Sequence, residues 1–475
     1  MHRFSVPNVI NLIGLIISIH LLFSCSDKEP DSDPSLKLSF SSDTIIFDTV
    51  FTTIGSYTQT LKVYNYNSSK LLIKKIALKG DATSFSINID GQSVSSASDV
   101  EIEAKDSIYI FMKVTIDPVN QNLPLIVTDQ IEFETNGNLQ HVDLVAWGQD
   151  AYYHTPDHFP SNFPDYSVIQ GDVTWANDKP HVVYGYLVVD SAAKLTIPSG
   201  TKTYFHNGGL LMVYKDGALQ VNGTVDEPVL FRNDRQDAFY RDLPGQWNGI
   251  WIAEGALPCE IHNSILENAN LGIQVDKPAE FNIPQLTITN TKIRNMTLGG
   301  IAGNATWIEG ANLSISGCGS YALALNGGIY NFRHLSVGNW WTSSVRSLPS
   351  VIVKNYFIDD NTAVMVEPTS VFFGNSVLYG NQTEELLIDK HPDNGTFNYL
   401  FDHCLIRSTS YTATDPSFPN LIVNKDPLFR DAGSFDLHPD TLSPLINAGI
   451  DLAVPTDLDG FPRDTQPDIG AFEFR

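Results

Sequence analysis

The chain has 475 residues, of which 42% are hydrophobic and only 17% are charged, and its formal net charge is −25 at pH 7. This length is enough for two or three domains with sizeable cores. The acidity excludes nucleic acid as an expected partner, because binding to phosphates requires clustered Lys and Arg side chains. Cations and neutral ligands stay open as partners.

The first 25 residues are a predicted signal peptide. A weakly basic start, His2-Arg3, precedes an apolar stretch at 9–23 that is too short to span a bilayer. The stretch ends in Leu22-Phe23-Ser24-Cys25, which resembles a bacterial lipobox. The resemblance implies that Cys25 carries a lipid that attaches the protein to an outer membrane or cell surface. An ordinary secretory signal with an incidental cysteine is the alternative.

Residues 26–35 are a predicted acidic tether, similar to the tethers of surface lipoproteins of Bacteroidetes. Three further cysteines, Cys259, Cys318 and Cys404, are odd in number and widely spaced. We therefore interpret them as small buried apolar residues rather than as a disulfide framework or a metal site.

Residues 36–148 show short runs of alternating apolar residues bounded by Asn, Asp, Gly and Ser, such as "DTIIFDTVF" and "TQTLKVYNYNS". About seven such strands in about 110 residues match an immunoglobulin-like β-sandwich. The region resembles the Hydin-type immunoglobulin-like modules of bacterial surface proteins, which implies a spacer or stalk. Residues 149–180 follow as a predicted irregular aromatic connector.

A repeated triplet predicts a solenoid over residues 181–450. Its last apolar residues follow at steps of 28, 22, 22, 21, 20 and 28 residues, at Ile265, Ile293, Ile315, Val337, Ile358, Leu378 and Ile406. Strand-only coils of this length indicate a parallel β-helix, with coils stacked about 4.8 Å apart. We expect eleven or twelve coils between Tyr184 and Ala448.

The segment "GALQVNGTVDEPVLF" at 217–231 is interpreted as one corner of such a coil, at which Gly223 permits the bend. Together with "GQWNGIWI" and the triplets, it resembles the right-handed parallel β-helix proteins. The predicted fold class is therefore all-β, a right-handed parallel β-helix preceded by an immunoglobulin-like β-sandwich.

The C-terminal region resembles the choice-of-anchor domain of bacterial surface β-helix proteins. The resemblance rests on "NKDPLFRDAGSFDLHPDTLSPLINAGID" and "DLDGFPRDTQPDIGAFEF". We expect residues 451–475 to cap the last coil, whose open edge would otherwise template aggregation.

Candidate catalytic groups are few. Asp359-Asp360 is a paired carboxylate of the kind that β-helix hydrolases use, although a solvated turn explains it as well. Arg333, Arg346 and Lys354 are predicted on adjacent coils, where they could meet a uronate if loops bring them together. Ordinary ion pairs are the alternative for these three cations.

Trp340 and Trp341 are candidate platforms for sugar rings, with Tyr356 or Tyr330 one coil away. Core packing is the alternative for them, and it is the expectation for Trp247 and Trp251. In "DLDG", Asp457 and Asp459 precede a glycine as in the start of a calcium loop, and Asp468 adds a further carboxylate. A turn or capping role is the alternative there.

The sequence favours a lipid-anchored surface protein that acts as a non-enzymatic glycan-binding or adhesion scaffold. A polysaccharide lyase or glycoside hydrolase on the β-helix is one alternative, and a purely structural surface protein is another. The expected partners are a membrane, reached through the N-terminal lipid, and a polysaccharide. We expect a monomer that needs no cofactor, unless the aspartates bind calcium.

Overall fold

The computed structural model describes residues 29–51, 56, 58–80, 84–89, 91–116, 125–237, 239–358, 363–393 and 395–475. The predicted signal peptide with Cys25, and the pair Asp359-Asp360, lie outside the described residues. In the described part of the chain, no helix has the length and apolar character needed to cross a membrane. The chain divides into two compact units, residues 1–150 and 151–475.

The first unit is a β-sandwich, as predicted. Its strands are β1 (Ser39–Phe40), β2 (Thr44–Phe51), β3 (Gln59–Tyr64), β4 (Leu71–Leu78), β5 (Phe85–Ile89), β6 (Gln92–Val94), β7 (Ser96–Ile102), β8 (Ser107–Val114), β9 (Leu125–Thr135) and β10 (Asn138–Gln149). They form two five-stranded sheets, in the orders β1-β3-β8-β5-β6 and β2-β10-β9-β4-β7. Alternate residues of β10, among them Val142 and Leu144, are fully buried in the core.

The second unit is built of short strands. In chain order they are β11 (Tyr152–His154), β12 (Tyr166–Ile169), β13 (Asp172–Thr174), β14 (His181–Val183), β15 (Tyr186–Val189), β16 (Lys194–Pro198), β17 (Lys202–Phe205), β18 (Leu210–Val213), β19 (Ala218–Asn222), β20 (Val229–Asn233), β21 (Gly249–Ile252), β22 (Cys259–His262), β23 (Ser264–Glu267), β24 (Leu271–Val275), β25 (Leu286–Met296), β26 (Gly299–Cys318), β27 (Tyr321–Asn339), β28 (Val351–Lys354), β29 (Tyr356–Ile358), β30 (Val364–Val366), β31 (Thr369–Gly374), β32 (Val377–Gly380), β33 (Leu386–Asp389), β34 (Phe397–Asp402), β35 (Leu405–Ile406), β36 (Ile422–Val423), β37 (Phe429–Asp431) and β38 (Asp436–Pro439). One 3₁₀ turn spans Ala432–Ser434.

These strands form a parallel β-helix, in which each strand pairs with its equivalent on the next coil within one 24-stranded sheet. Three columns of strands result. Column I starts with β11, β14, β17, β20 and β23; column II with β12, β15, β18, β21 and β24; and column III with β13, β16, β19 and β22. The long strands β25, β26 and β27 pass around corners and contribute to more than one column. The predicted parallel β-helix is thus confirmed as the fold of this unit.

The predicted triplets mark column I. Ile293, Ile315, Val337, Leu378 and Ile406 lie in register on successive coils and are fully buried. Two members of the series are wrong. Leu266 rather than Ile265 pairs with Ile293, and Ile358 lies in the antiparallel hairpin β29–β30, where it is 66% exposed. The step from Val337 to Leu378 is therefore one coil with an inserted loop.

The polar residue that opens each triplet, apart from the one that ends at Ile358, has a backbone role. Asn263, Asn290, Asn312, His334, Asn375 and His403 all have positive φ, between 47° and 55°. Each turns the chain from column III into column I, a left-handed conformation that Asn adopts more readily than most residues. Their side chains also bond between coils: Nδ2 of Asn312 donates to Oδ1 of Asn290 at 2.9 Å.

Two predicted boundaries and the predicted number of coils are corrected. Strands β11, β12 and β13 pair in parallel with β14, β15 and β16, so the predicted connector at 149–180 contains the first coil. The parallel sheet ends at β36 rather than at residue 450. Within the described residues, nine column I strands lie between Tyr184 and Ala448, fewer than the eleven or twelve coils expected, because several coils carry insertions.

The segment 217–231 forms a coil corner between β19 and β20, as predicted. Gly223 has no positive φ. It is required because a Cβ at this position would collide with the carbonyl oxygen of Asn263 on the next coil. Close packing of neighbouring coils, rather than backbone freedom, therefore selects this glycine.

Residues 424–475, the C-terminal segment, lie along the outer side of column I instead of capping the last coil. The Nζ atom of Lys292 is 3.1 Å from Oδ1 of Asp459, and the N–H of Ala471 donates to Oγ of Ser336 at 2.9 Å. The residues that face outward from column I have small side chains here, because the C-terminal segment packs against them. A Cβ on Gly338, for example, would collide with Leu437. The predicted cap at 451–475 thus covers the flank of several coils.

Candidate functional site

The outer faces of the three columns differ in what they offer a ligand. Column I is covered by the C-terminal segment over several coils. The outer face of column III carries polar residues in register, such as Gln220, Glu260 and Thr287. Column II carries large apolar residues on its outer face, although its inner face already supplies the core. This second apolar face makes column II the candidate site.

Alternation along each column II strand produces the two faces. In β15 and β18, Leu187 and Leu211 point into the core, while Val188 and Met212 belong to a separate outer cluster. The outer cluster contains Val188, Leu210, Met212 and Ala253, with Tyr166, Tyr186 and Trp251 packed against it. We call this outer cluster the floor.

A groove of about 440 Å³ lies over the first three coils of the floor. Tyr166, Met212 and Tyr214 line it together with Phe163 from the loop that precedes β12. Tyr214 is 47% exposed and Phe163 is 39% exposed, so aromatic surface faces solvent. The polar side chains that line the groove are His158, Gln170 and Asp190. An apolar floor with a few polar groups at its rim is the usual composition of a ligand site.

The long insertions of the β-helix also border column II. Residues 155–165, 234–248 and 340–350 precede column II strands, and residues 276–285 and 355–368 follow them. The turn from column III to column I is only one or two residues long from Asn263 onward. Because loops carry binding functions on rigid scaffolds, this distribution also favours the column II face.

A polar row follows the edge of the floor where column II strands end. The Nε1 atom of Trp251 donates to Oδ2 of Asp276 at 2.6 Å. Asn304 donates to Oδ1 of Asp276 at 3.0 Å, and Asn326 donates to Oδ1 of Asn304 at 3.1 Å. These three residues, Asp276, Asn304 and Asn326, are the edge row. Amide and carboxylate groups that repeat at the spacing of the coils suit the hydroxyl groups of a polymer.

Lys354 and Tyr356, two predicted site residues, lie on the same side at a later coil. Lys354 is in register with Asn326 and Asp389, and its Nζ atom is 5.1 Å from the centre of the Tyr356 ring. The hydroxyl of Tyr356 donates to Oδ2 of Asp389, and this hydrogen bond raises the pKa of Tyr356. The structure therefore places both residues beside a carboxylate on column II.

Arg346 and Trp341 are interior residues, which corrects their assignment to a ligand surface. The Arg346 guanidinium is fully buried and lies 2.5 Å from Oε1 of Glu385, which is also fully buried. Trp341 is 6% exposed and donates to Oγ of Ser344 at 2.7 Å. Both residues hold the 340–350 loop in place and are screened from a ligand.

Trp340 and Arg333 lie away from column II. The Trp340 ring is half-buried between the ring of Tyr379 and that of Phe429 in the C-terminal segment. Nη1 of Arg333 donates to the carbonyl oxygen of Leu452 in the same segment at 3.4 Å. Arg333, Arg346 and Lys354 thus have separate surroundings and form no single cationic site.

Trp247 and Trp251, both expected in the core, lie on opposite faces of the β-helix wall. Trp247 is fully buried and stacks on Phe205 at 4.1 Å, as predicted. Trp251 was expected in the core, and this was wrong: it packs on the outer cluster. The three cysteines, Cys259, Cys318 and Cys404, are free and buried, as predicted, and burial raises the pKa of each thiol to about 12.

The aspartates of the C-terminal segment bond to backbone N–H groups. Asp457 accepts from the N–H groups of Asp459, Phe461 and Glu473, and Asp468 accepts from those of Asn447 and Phe474. These are the contacts of the turn and capping alternative. Over the described ranges, no group of three or more His, Cys, Asp or Glu residues is placed to hold a metal ion.

Sequence reasoning missed the floor of the groove. Tyr166 and Phe163 lie in the predicted irregular connector at 149–180, and the strands at 186–189 and 210–213 lie in the predicted solenoid, for which no outer face was singled out. A signal was available: "YLVV" and "LLMV" are apolar at every position, whereas a strand with one solvated face should alternate.

Comparison with known proteins yields one family match. A family model described as a pectate-lyase-like beta helix domain matches residues 167–260. No curated protein matches the chain. The matched range contains most of the floor, including Tyr186, Met212 and Trp251.

Solved structures show only weak similarity. A family 123 glycoside hydrolase from Clostridium perfringens is 11% identical over 26% of this chain and 31% of its own, with a TM-score of 0.17. The PapD-like domain 7 of human CEP192 is 13% identical over 27% of this chain and 94% of its own, with a TM-score of 0.17. A protein of unknown function from Porphyromonas gingivalis W83 is 11% identical over 29% of this chain and 59% of its own, with a TM-score of 0.18. This chain spans about a third of the hydrolase, and scores this low support no statement about function.

Proposed function

We propose that this protein is a polysaccharide-binding protein that holds its ligand on the outer face of column II. The observation that carries the proposal is the exposed groove formed by Phe163, Tyr166, Met212 and Tyr214. A soluble protein rarely exposes a contiguous apolar surface without a binding role. The pectate-lyase-like family model, which matches residues 167–260, supports a polysaccharide-related role for this part of the chain.

The groove provides both kinds of contact that a sugar needs. Aromatic rings can pack against the apolar C–H face of a sugar ring, and polar groups at the rim can bond to its hydroxyls. In the groove, Tyr166 and Tyr214 provide the aromatic rings, and Gln170 and Asp190 provide the polar groups. The edge row continues the polar side over later coils, so a chain of several sugars can extend along the helix axis.

The proposal is tested by retention of the purified protein on a panel of immobilised polysaccharides. Wild type should be retained by at least one of them, and the variant Tyr166→Ala/Tyr214→Ala should lose about tenfold or more in affinity. Tyr66→Ala, which removes an exposed tyrosine from the sandwich unit, is the matched control and should bind normally. Equal retention of wild type and the groove variant would contradict the proposed site.

Enzymatic cleavage is the second candidate, and the family name together with the placement of Asp389 beside Tyr356 and Lys354 favours it. A carboxylate, a phenol and an amine that lie together on a later coil of column II are groups that can move protons. Incubation of each retained polysaccharide with the protein should then release reducing ends or unsaturated uronate. Asp389→Asn should abolish that release, whereas retention without any product would exclude this alternative.

We also propose that the protein is a surface lipoprotein held in a membrane through a lipid on Cys25. The support is the lipobox-like Leu22-Phe23-Ser24-Cys25 at the end of an apolar stretch. Wild type expressed in a bacterial host should incorporate labelled fatty acid and sediment with membranes. Cys25→Ser should do neither, and unlabelled wild type in the soluble fraction would contradict the anchor.

A further inference from the structure

We infer that the ligand of the column II groove is an uncharged glycan rather than a polyuronate. The inference rests on the proposed function and names the class of polysaccharide. It differs from what the family name alone suggests, because pectate is a polymer of uronic acids. The charges on and around the floor disfavour an anionic ligand.

The groove itself has an acidic rim. Apart from its tyrosines, its ionisable lining residues among those described are Asp190 and His158, and neither Lys nor Arg is among them. The Nδ1 atom of His158 lies 2.6 Å from Oδ1 of Asp157, so this imidazole is already paired with a carboxylate. A uronate carboxylate in this groove would therefore meet negative charge without a cation to bind it.

The nearest exposed cation, Lys215, follows Tyr214 but extends along Gly255 of the next coil and is not among the residues that line the groove. Other cations near this face are paired with carboxylates or lie far from the groove. Lys277 pairs with Glu367 at 2.9 Å, and Arg346 is buried against Glu385. Lys354 is in register with Asp389, five coils beyond β18 and hence about 24 Å along the axis from the groove. The edge row adds the carboxylate of Asp276 on the way.

These charges decide between the two ligand classes. A polyuronate carries one carboxylate per sugar, and desolvating each one without a cationic partner is unfavourable. The net charge of −25 adds a long-range repulsion that low ionic strength strengthens. A neutral glycan meets neither penalty, and the aromatic floor with its amide and carboxylate rim satisfies its C–H faces and its hydroxyls.

The test compares retention of the full-length protein on a mixed-linkage β-glucan, a galactomannan and starch with retention on polygalacturonate and alginate. Each is measured at low and at physiological ionic strength, with and without calcium. We expect retention on at least one neutral polymer, nearly independent of salt, and binding to the polyuronates weaker by about tenfold or more. The variant Tyr166→Ala/Tyr214→Ala should lose the neutral binding, while Tyr66→Ala should keep it.

The possible outcomes distinguish a failure of polysaccharide binding itself from a failure of the preference for an uncharged glycan. Retention on a polyuronate that equals or exceeds retention on the neutral polymers, with or without calcium, would overturn the uncharged ligand while leaving polysaccharide binding intact. Retention on none of the five polymers would overturn both. Neutral binding that survives in the groove variant would also overturn the inference, because the charges of another surface would then govern the choice.

Discussion

Trp251 donates its indole N–H to Oδ2 of Asp276 across 2.6 Å, and this bond joins the apolar floor of column II to its polar edge row. Trp251 packs on the outer cluster with Met212, and Asp276 accepts from Asn304 on the next coil. One hydrogen bond thus connects the surface proposed to stack on sugar rings with the row proposed to bind their hydroxyls.

Removing this bond should weaken both stability and binding. Trp251→Phe keeps an aromatic ring but removes the donor to a charged acceptor, so we expect a loss of about 1 to 2 kcal/mol in the free energy of unfolding. Glycan retention should fall as well, because the Asp276 carboxylate loses a fixed orientation. Trp307→Phe is the matched control, since Trp307 donates to Glu309 at 2.8 Å on another side of the helix. It should lose similar stability and keep glycan binding; a loss of binding in the control alone would contradict the role of column II.

The buried pair Arg346–Glu385 should be essential for the 340–350 loop. Arg346→Met leaves the Glu385 carboxylate buried without its cation, which should lower the free energy of unfolding by about 3 to 5 kcal/mol. Arg346→Met/Glu385→Leu should recover part of this loss, because neither charge then remains buried. Urea denaturation of the three proteins measures the difference. A loss below about 1 kcal/mol in the single variant would show that Glu385 is solvated.

His334 should make the protein less stable in mild acid. Burial lowers the pKa of His334 to about 3, and nearby Arg463 adds to the shift, so the folded protein holds a neutral imidazole. Its Nδ1–H donates to the carbonyl oxygen of Gly470 at 3.2 Å. Because the unfolded value is 6.5, this contribution is fully present above pH 6.5 and is lost as the pH falls towards 3. At about pH 5 the loss should be about 2 kcal/mol.

His334→Asn isolates this effect from the other titrating groups. Asn tolerates the positive φ of 55° at this position, as the equivalent Asn312 and Asn375 show on neighbouring coils. Urea unfolding at about pH 7.5 and about pH 5 should show a smaller drop in stability for the variant than for wild type. Equal drops in the two proteins would mean that His334 becomes protonated without penalty in the fold.

Asp459 and His438 should hold the C-terminal segment on column I. Their contact should weaken as the pH rises, whereas the contribution of His334 is lost as the pH falls. Asp459 contacts Lys292 and, at 2.7 Å, Nε2 of His438, and the bond to His438 lowers the pKa of Asp459 to about 2. Burial of His438 opposes its charged form, but hydrogen bonds to Asp459 and Asp436 outweigh this effect and raise its pKa. The His438 contribution is therefore present below pH 6.5 and is lost as the pH rises through the raised value, whereas that of Asp459 is lost only as the pH falls from 3.8 towards 2.

Limited proteolysis of the C-terminal segment measures how firmly it is held on column I at each pH. Wild type should resist cleavage after residue 424 at about pH 5.5 and become more sensitive at alkaline pH. Asp459→Asn should be sensitive at both, with a loss of about 1 to 2 kcal/mol in stability. A variant as resistant as wild type at about pH 5.5 would show that other contacts alone hold the segment.

The β-helix could be predicted from the sequence because each coil repeats the same short pattern of residues at a regular spacing along the chain. The triplets place Ile293, Ile315 and Val337 at a near-constant spacing, and the same positions stack in the core of column I. The series failed at Ile358 because an inserted hairpin happens to reproduce both the triplet and the spacing. Periodicity alone cannot distinguish such an insertion from a coil, since the hairpin pairs with itself rather than with a neighbouring coil.

The site was less accessible to sequence reasoning, because it depends on which face of each strand is covered. Arg346 and Trp341 were proposed as ligand contacts from residue type, yet their burial depends on Glu385 and Ser344, which only the folded loop brings near. The prediction for Trp251 was wrong in the opposite way, because it placed an outward-facing residue in the core. Its outward position follows from its register with Met212, and that register becomes visible only when the coils are stacked.

Hydroxyl-radical footprinting of the full-length protein tests most directly whether column II binds the glycan. Oxidation of Tyr214 and Phe163, both exposed in the groove, is measured by mass spectrometry with and without a soluble fragment of the retained polysaccharide. We predict that the ligand reduces oxidation of these two residues and leaves Tyr66 in the sandwich unit unchanged. Unchanged oxidation of Tyr214 and Phe163 under saturating ligand would contradict the proposed site.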